Sequence, residues 1–217
     1  MKYNGHNLHE IMEAHKRYLK ATSGLSQEDM MEIRAYTDEE DLPWSEEDIA
    51  DFSDADLHDA DLHEMNLSAV NLHGANLRGA NLRGTFLVET CLIGADLTGA
   101  DLTGAYLSNA SIWESDLTGA KLHKAYMSRA NLEGAKLCKA DLTEAAMQET
   151  SLRGADLQDS DLSGASLWRA DLHCANLRNA DLHSADLSAT DLTFADLRGA
   201  DMQGADTHGA DMYGAKF

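Results

Sequence analysis

Apolar residues occupy every fifth position of this chain from Phe52 to Phe217, and the frame never breaks. Only Thr207 is polar among the 34 positions in that register, and the residue two places earlier is alanine in 26 of them. A five-residue period matches neither the 3.6-residue turn of an α-helix nor the two-residue alternation of a strand. It predicts a short extended piece followed by a tight turn, repeated along the chain.

Each unit reads as alanine, then Asp or Asn, then the apolar centre, then two variable positions of which the second is often glycine, as in residues 95–99. Glycine and asparagine suit turns that need backbone angles disfavoured by a Cβ atom. Four units make a square coil of 20 residues, so the 34 units form about 8.5 coils. Coils about 4.8 Å apart give a rod roughly 40 Å long.

This pattern resembles the pentapeptide-repeat family, whose motif is Ala-(Asp/Asn)-Leu-x-x, over residues 50–217. The resemblance implies an all-β solenoid, a right-handed quadrilateral β-helix in which the centre leucine and the preceding alanine point inward. Residues 1–49 lack the period, and we predict that they form an N-terminal helical cap and an acidic linker. This segment would cover the first coil, and a separate partner-binding module is the alternative.

The chain has 38 acidic and 17 basic residues, a formal net charge of −21. Such a surface repels nucleic acid and anionic membranes, so we expect a basic or DNA-binding protein as partner. The sequence has no apolar run of membrane-spanning length and no signal peptide. The cysteines Cys91, Cys138 and Cys174 fall in different coils, which predicts no disulfide and a cytoplasmic protein.

Sequence signals of chemistry are missing. The ten histidines do not have the spacing of metal ligands, and surface histidines in solvent explain them better. The glycines follow the period and form no phosphate-binding loop. A convex rod also offers no enzyme-like pocket. We therefore predict that the protein is not an enzyme, with no catalytic, cofactor-binding or metal site.

The acidic residues of the repeats concentrate at the two ends. Residues 50–69 hold six acidic residues and no basic one. Residues 70–179 hold 13 acidic and 10 basic residues, and residues 180–217 hold seven acidic and two basic residues. The last segment carries about one net charge per 1.8 Å of rod, close to about one per 1.7 Å for duplex DNA. The repeat motif itself explains many of these acids, although stacked like charges repel. The predicted acidic partner-binding residues are Asp181, Asp186, Asp191, Asp196, Asp201, Asp206 and Asp211.

The resemblance extends to function. Some pentapeptide-repeat proteins, the fluoroquinolone-resistance group, are rods of DNA width that bind type II topoisomerases where DNA would sit. The plasmid-borne members carry loops that interrupt the repeat, and this chain has none. The resemblance therefore implies a loopless DNA mimic, with a type II topoisomerase such as DNA gyrase, or another DNA-binding protein, as its partner.

A second surface departs from the motif, because Phe86, Tyr106 and Tyr126 replace Asp or Asn on one face. With neighbouring side chains they predict an outward apolar patch. Stacking that only stabilises the rod is one reading. The other is a docking site for the N-terminal helices or for an unrelated partner, which would make the protein a structural scaffold. The predicted patch residues are Phe86, Val88, Ile93, Tyr106, Trp113 and Tyr126.

The C-terminal coil has no predicted cap. Its centre residues Met202, Met212 and Phe217 would expose the apolar interior of the rod, together with unpaired backbone groups. We predict that these residues form a homodimer interface in which two rods meet end to end about a two-fold axis. A local fold-back of the last residues is the alternative.

Overall fold

A computed structural model describes residues 50–217 and the backbone of two short strands near the N-terminus. These strands, β1 (Lys2–Tyr3) and β2 (His6–Asn7), pair antiparallel, with Lys2 opposite Asn7 and Tyr3 opposite His6. The chain forms two compact units, Met1–Phe52 and Ser53–Phe217. The helical cap and acidic linker predicted for residues 1–49 lie outside the described residues.

The repeats wind into four-sided coils. Single-residue parallel bridges join each unit to the unit 20 residues later, from the pair Asp56 and Asn76 to the pair Asp196 and Lys216. Four units therefore complete one coil, and the residues before the centres form four ladders along the rod. The centres from Leu57 to Leu197 are at most 4% exposed. The leucine and alanine columns thus form the core, as the period predicted.

Backbone hydrogen bonds connect each coil to both neighbours. Three of the five N–H groups in a unit donate to adjacent coils. In the unit of Leu97 these bonds are Asp96 N to Ala75 O, Leu97 N to Asp116 O and Gly99 N to Thr118 O, at 3.0, 2.7 and 3.0 Å. A fourth closes the turn, from Ala100 N to Leu97 O at 3.0 Å. Four of the five backbone N–H groups of a unit are therefore paired with backbone carbonyl groups.

The last residue of every unit has a positive φ, from Asp54 to Gly214. A positive φ at the third turn position is the feature of a type II turn and favours glycine. Nineteen of these residues are not glycine, and Phe194, with φ of 59°, is the bulkiest. Each of them holds a backbone conformation that its Cβ atom disfavours.

The Asp or Asn before the centre completes the pairing of the unit. In the unit of Leu97, Thr98 N donates to Asp96 Oδ1 at 3.0 Å, which is an Asx-turn. Asparagine does the same, since Ser68 N donates to Asn66 Oδ1 at 3.1 Å. Asp and Asn make the same bond, so the bond does not require a negative charge.

Candidate functional site

The acidic collar, our name for the seven predicted aspartates from Asp181 to Asp211, occupies seven consecutive units. Its members bridge along all four ladders, in the pairs Asp181 with Asp201, Asp186 with Asp206, Asp191 with Asp211, and Asp196 with Lys216. The carboxylates therefore encircle the rod over about two coils. The sequence predicted their number, and the ladder register shows that they form a ring and not a stripe.

Each collar aspartate makes the same local bond. The Oδ1 atoms of Asp181, Asp191 and Asp201 accept backbone N–H groups two residues later, at 2.8, 2.8 and 2.9 Å. Within residues 50–217, Asp196 is the collar member with a salt bridge, to Arg198. The side-chain hydrogen bonds of Arg198 lower the pKa of Asp196 to about 2. The collar charges are thus held in place by the backbone and are little neutralised.

The middle of the rod is different, because its basic side chains pair with acids. Most of these pairs join neighbouring coils, and all their partners are partly exposed. They include Arg78 with Asp96, Lys124 with Glu144, Arg129 with Glu149, Lys136 with Asp116, and Arg153 with Asp171. Local pairing therefore neutralises part of the negative charge in the middle of the rod.

Two histidines modify the acidic N-terminal end of the repeats. His58 Nδ1 lies 2.8 Å from Asp56 Oδ1, and His63 Nδ1 lies 2.7 Å from Asp61 Oδ1. The hydrogen bond to the neighbouring carboxylate, and then its charge, raises the pKa of each imidazole. The sequence predicted that these histidines lie on the surface in solvent, and their spacing of two positions from the aspartates was visible in the motif.

The apolar patch forms a stacked ladder. The ring centroids of Phe86 and Tyr106 are 4.8 Å apart, those of Tyr106 and Tyr126 are 5.0 Å apart, and both interplanar angles are 5°. These three rings are 42, 38 and 47% exposed, and Trp113 is 37% exposed. Val88 and Ile93 are half-buried beside them. The N-terminal segment, predicted to be helical and to cover this patch, lies outside the described residues.

The aromatic ladder has an energetic cost as well as a gain. Phe86 has no oxygen to accept the turn N–H group, so its unit gives up a bond worth about 0.5–1.5 kcal/mol. A stacked aromatic pair returns about 0.5–1.5 kcal/mol. The stacking energy adds to that of burying more than half of each ring, so the ladder offsets the lost turn bond.

A second aromatic group near the C-terminal end was missed by sequence analysis. Phe194 packs edge-on against His173 and Tyr213, with ring centroids 5.7 and 5.6 Å away. Gly214 makes room for this ring, because a Cβ atom there would lie 2.7 Å from Phe194. Trp168 is also exposed, and the Arg169 guanidinium lies 4.4 Å from its ring centroid. For Phe194 the available signal was a bulky residue at a turn position that often holds glycine.

The C-terminal coil leaves the interior of the stack open. Met202 and Met212 are half-buried, and Phe217 is 71% exposed, whereas Leu192 and Leu197 in the preceding coil are at most 2% exposed. Lys216 still bridges Asp196, so the last residues continue the coil. The alternative of a local fold-back is therefore wrong, and the three predicted interface residues lie together at an apolar end.

Residues 50–217 contain no group of three or more His, Cys, Asp or Glu side chains placed to hold a metal ion. The three cysteines are free, and burial, followed by a hydrogen bond to Asp156, raises the pKa of Cys138 to about 11. One surface depression is lined by His63, Glu64, Asn81, Arg83, Gly84 and Thr103. In the described part of the chain, no helix is both long and apolar enough to cross a bilayer.

Comparison with protein families identifies the repeat. The sequence profile described as pentapeptide repeats matches eight copies, in the segments 50–87, 87–123, 115–154, 125–164, 150–188 and 180–217. The chain belongs to the pentapeptide-repeat family. Membership of the family implies a right-handed quadrilateral β-helix, in agreement with the sequence prediction and with the 20-residue ladder.

Solved pentapeptide-repeat structures are similar to this chain. HetL, a pentapeptide repeat protein involved in heterocyst differentiation regulation from the cyanobacterium Nostoc sp. strain PCC 7120, is 37% identical over 77% of this chain and 80% of its own, with a TM-score of 0.36. Trypsin-treated QnrB1, a plasmid-mediated fluoroquinolone resistance protein, is 17% identical over 77% of this chain and 89% of its own, with a TM-score of 0.62. The likeness to QnrB1 shows a shared fold. No curated protein matches this pentapeptide-repeat chain in sequence.

Proposed function

We propose that this protein is a non-enzymatic, acidic binding rod that mimics DNA toward a basic, DNA-binding protein. The observation that supports this most is the acidic collar, in which seven consecutive units use Asp where Asn makes the same turn bond. A charge that the fold does not need, kept on every unit at one end, favours a role in binding.

The arrangement of the collar suits such a partner. Duplex DNA presents phosphates around its whole cylinder, and the collar presents carboxylates on all four faces of the rod. A protein that cradles DNA contacts several sides at once, and its lysines and arginines release counterions on binding. Because residues 180–217 contain two Lys or Arg residues, Arg198 and Lys216, against seven aspartates, the negative field of the collar is available to an approaching basic groove.

The first partner to test is DNA gyrase, which the resemblance to the fluoroquinolone-resistance group suggests. We propose a cytoplasmic protein that binds neither nucleic acid nor membranes and that dimerises through the open C-terminal coil. Dimerisation would bury Met202, Met212 and Phe217, and it would bring two collars together as one longer acidic rod.

A second candidate is a structural scaffold that recruits an unrelated partner through the apolar patch. The continuous stack from Phe86 to Tyr126 favours it, since its three rings remain 38 to 47% exposed. The two candidates use different surfaces, and the variant Phe86→Ser affects only the second.

The experiment is a gyrase supercoiling assay with increasing amounts of the protein at low and at high salt. Mimicry predicts inhibition at low salt that fades as salt is added, because screening weakens interactions between exposed charges. Inhibition that Phe86→Ser removes and salt does not change would instead support the scaffold. No inhibition of gyrase at any salt concentration would exclude gyrase as the partner.

A further inference from the structure

The aromatic ladder ends abruptly at Tyr126. The next two residues on the same ladder are Ala146 and Ser166, which bridge Tyr126 and each other in turn. Both are small and half-buried, so the ring face of Tyr126 that points along the rod has no side chain of its own ladder against it. We call this space the Ala146 notch: Tyr126 is its wall, and Ala146 and Ser166 are its floor.

The other end of the ladder is not equivalent. Below Phe86 the ladder continues with Asn66, whose Oδ1 accepts the backbone N–H of Ser68 at 3.1 Å. That position holds a polar side chain already committed to its own turn. The two ends of one aromatic stack therefore differ, and only the Tyr126 end is open to a further ring.

The sides of the notch are lined by paired charges. At one corner of the face Lys124 Nζ lies 3.4 Å from Glu144 Oε2, and at the other Arg129 Nε lies 3.0 Å from Glu149 Oε2. Both pairs join the coil of Tyr126 to the coil of Ala146, so they flank the notch. Each side is neutral overall, and the occupant should therefore be uncharged.

We infer that the Ala146 notch binds an uncharged aromatic side chain of a partner protein, which stacks on Tyr126 as the next ring of the ladder. Rings in this ladder repeat at 4.8 and 5.0 Å, the spacing that successive coils impose. A ring placed above Ala146 continues that spacing without any movement of the backbone. An apolar centre inside a polar rim is also the usual form of an interaction hot spot. The inference rests on the scaffold candidate and not on the acidic collar.

The test uses the full chain, labelled at alanine, valine and isoleucine methyl groups, and titrated with N-acetyl-tryptophanamide as an uncharged aromatic probe. We expect a saturable upfield ring-current shift of the Ala146 methyl. Tyr126→Ala should abolish the shift because it removes the stacking surface. Ala146→Tyr should place a fourth ring on Tyr126 and so fill the notch from within the chain.

Ser151→Tyr is the matched control, since it adds the same ring at a half-buried ladder position where the preceding residue is Asn131. It should leave the Ala146 shift unchanged. Ala146→Tyr should also melt at a higher temperature than Ser151→Tyr, which shows that it folds and extends the stack. Shifts at Val88 and Ile93 without one at Ala146 would overturn the notch and leave patch docking intact. No saturable shift at any methyl, or a shift that survives Tyr126→Ala, would also overturn the notch.

Discussion

Replacement of Leu137 by aspartate tests the core of the rod. Leu137 is completely buried, its N–H donates to Asp156 O at 2.7 Å, and its carbonyl accepts from Ala140 N at 3.0 Å. Truncation of a buried leucine costs about 2–5 kcal/mol, and an uncompensated buried charge costs about 3–5 kcal/mol. Leu137→Asp should therefore cost about 5 kcal/mol or more, which is comparable to the whole stability of many domains.

The neighbouring residue provides the contrast. Lys136 Nζ lies 3.3 Å from Asp116 Oδ2, and the two side chains are 65 and 32% exposed. Because exposed pairs contribute about 0.2–1 kcal/mol, Lys136→Ala should be nearly neutral. Leu137→Met, which conserves volume, should cost less than about 1.5 kcal/mol. Urea denaturation followed by circular dichroism measures all three, and similar losses for Lys136→Ala and Leu137→Asp would refute the inward assignment.

Three further predictions follow from the turns, the histidine pairs and the open end. Ala189→Gly should raise the free energy of unfolding by about 0.5–1 kcal/mol in urea titrations, because glycine relieves the backbone strain at position 189, where φ is 55°. A loss of stability would contradict the turn geometry. The bond to Asp56 raises the pKa of His58 above 6.5, so the pair stabilises the fold fully below pH 6.5, and this contribution is lost as the pH rises through the raised pKa. In an NMR titration, Asp56→Asn should return the titration midpoint of His58 toward 6.5. An unchanged midpoint of His58 would argue against the pair. Phe217→Asp should convert a dimer to a monomer in light scattering, and a parent that is already monomeric at micromolar concentration would refute the end-to-end contact.

Much of the fold follows from the sequence because one period determines it. Once the centres recur every five residues, the coil length, the inward columns and the turn positions are settled together, as Leu97 and Gly99 illustrate. The open C-terminal coil was also predictable, since the pattern places Met202 and Phe217 at its centres. The stacking of Phe86 on Tyr106 followed from the 20-residue spacing.

Other features depend on side-chain conformations that the period does not specify. The pairing of His58 with Asp56 requires a particular rotamer, and the packing of Phe194 requires the space above Gly214. The ring form of the acidic collar depends on the ladder to which each of its units belongs. The difference between the two ends of the aromatic ladder likewise depends on what Asn66 and Ala146 do in three dimensions.

The central functional claim is that local charge at the collar, and not total charge, binds the partner. One variant changes all seven collar residues to Asn, which preserves each turn bond. A matched variant removes seven acids from the middle of the rod by amide substitution at Glu89, Glu114, Glu133, Asp141, Asp156, Asp159 and Asp161. Both variants have the same net charge.

The deciding measurement is inhibition of gyrase supercoiling at low salt by the parent and by these two variants, each first shown to be folded by circular dichroism. The account predicts that the collar variant loses inhibition and that the matched variant keeps most of it. Equal inhibition by the collar variant and the parent, or equal loss in both variants, would contradict the proposed role of the collar.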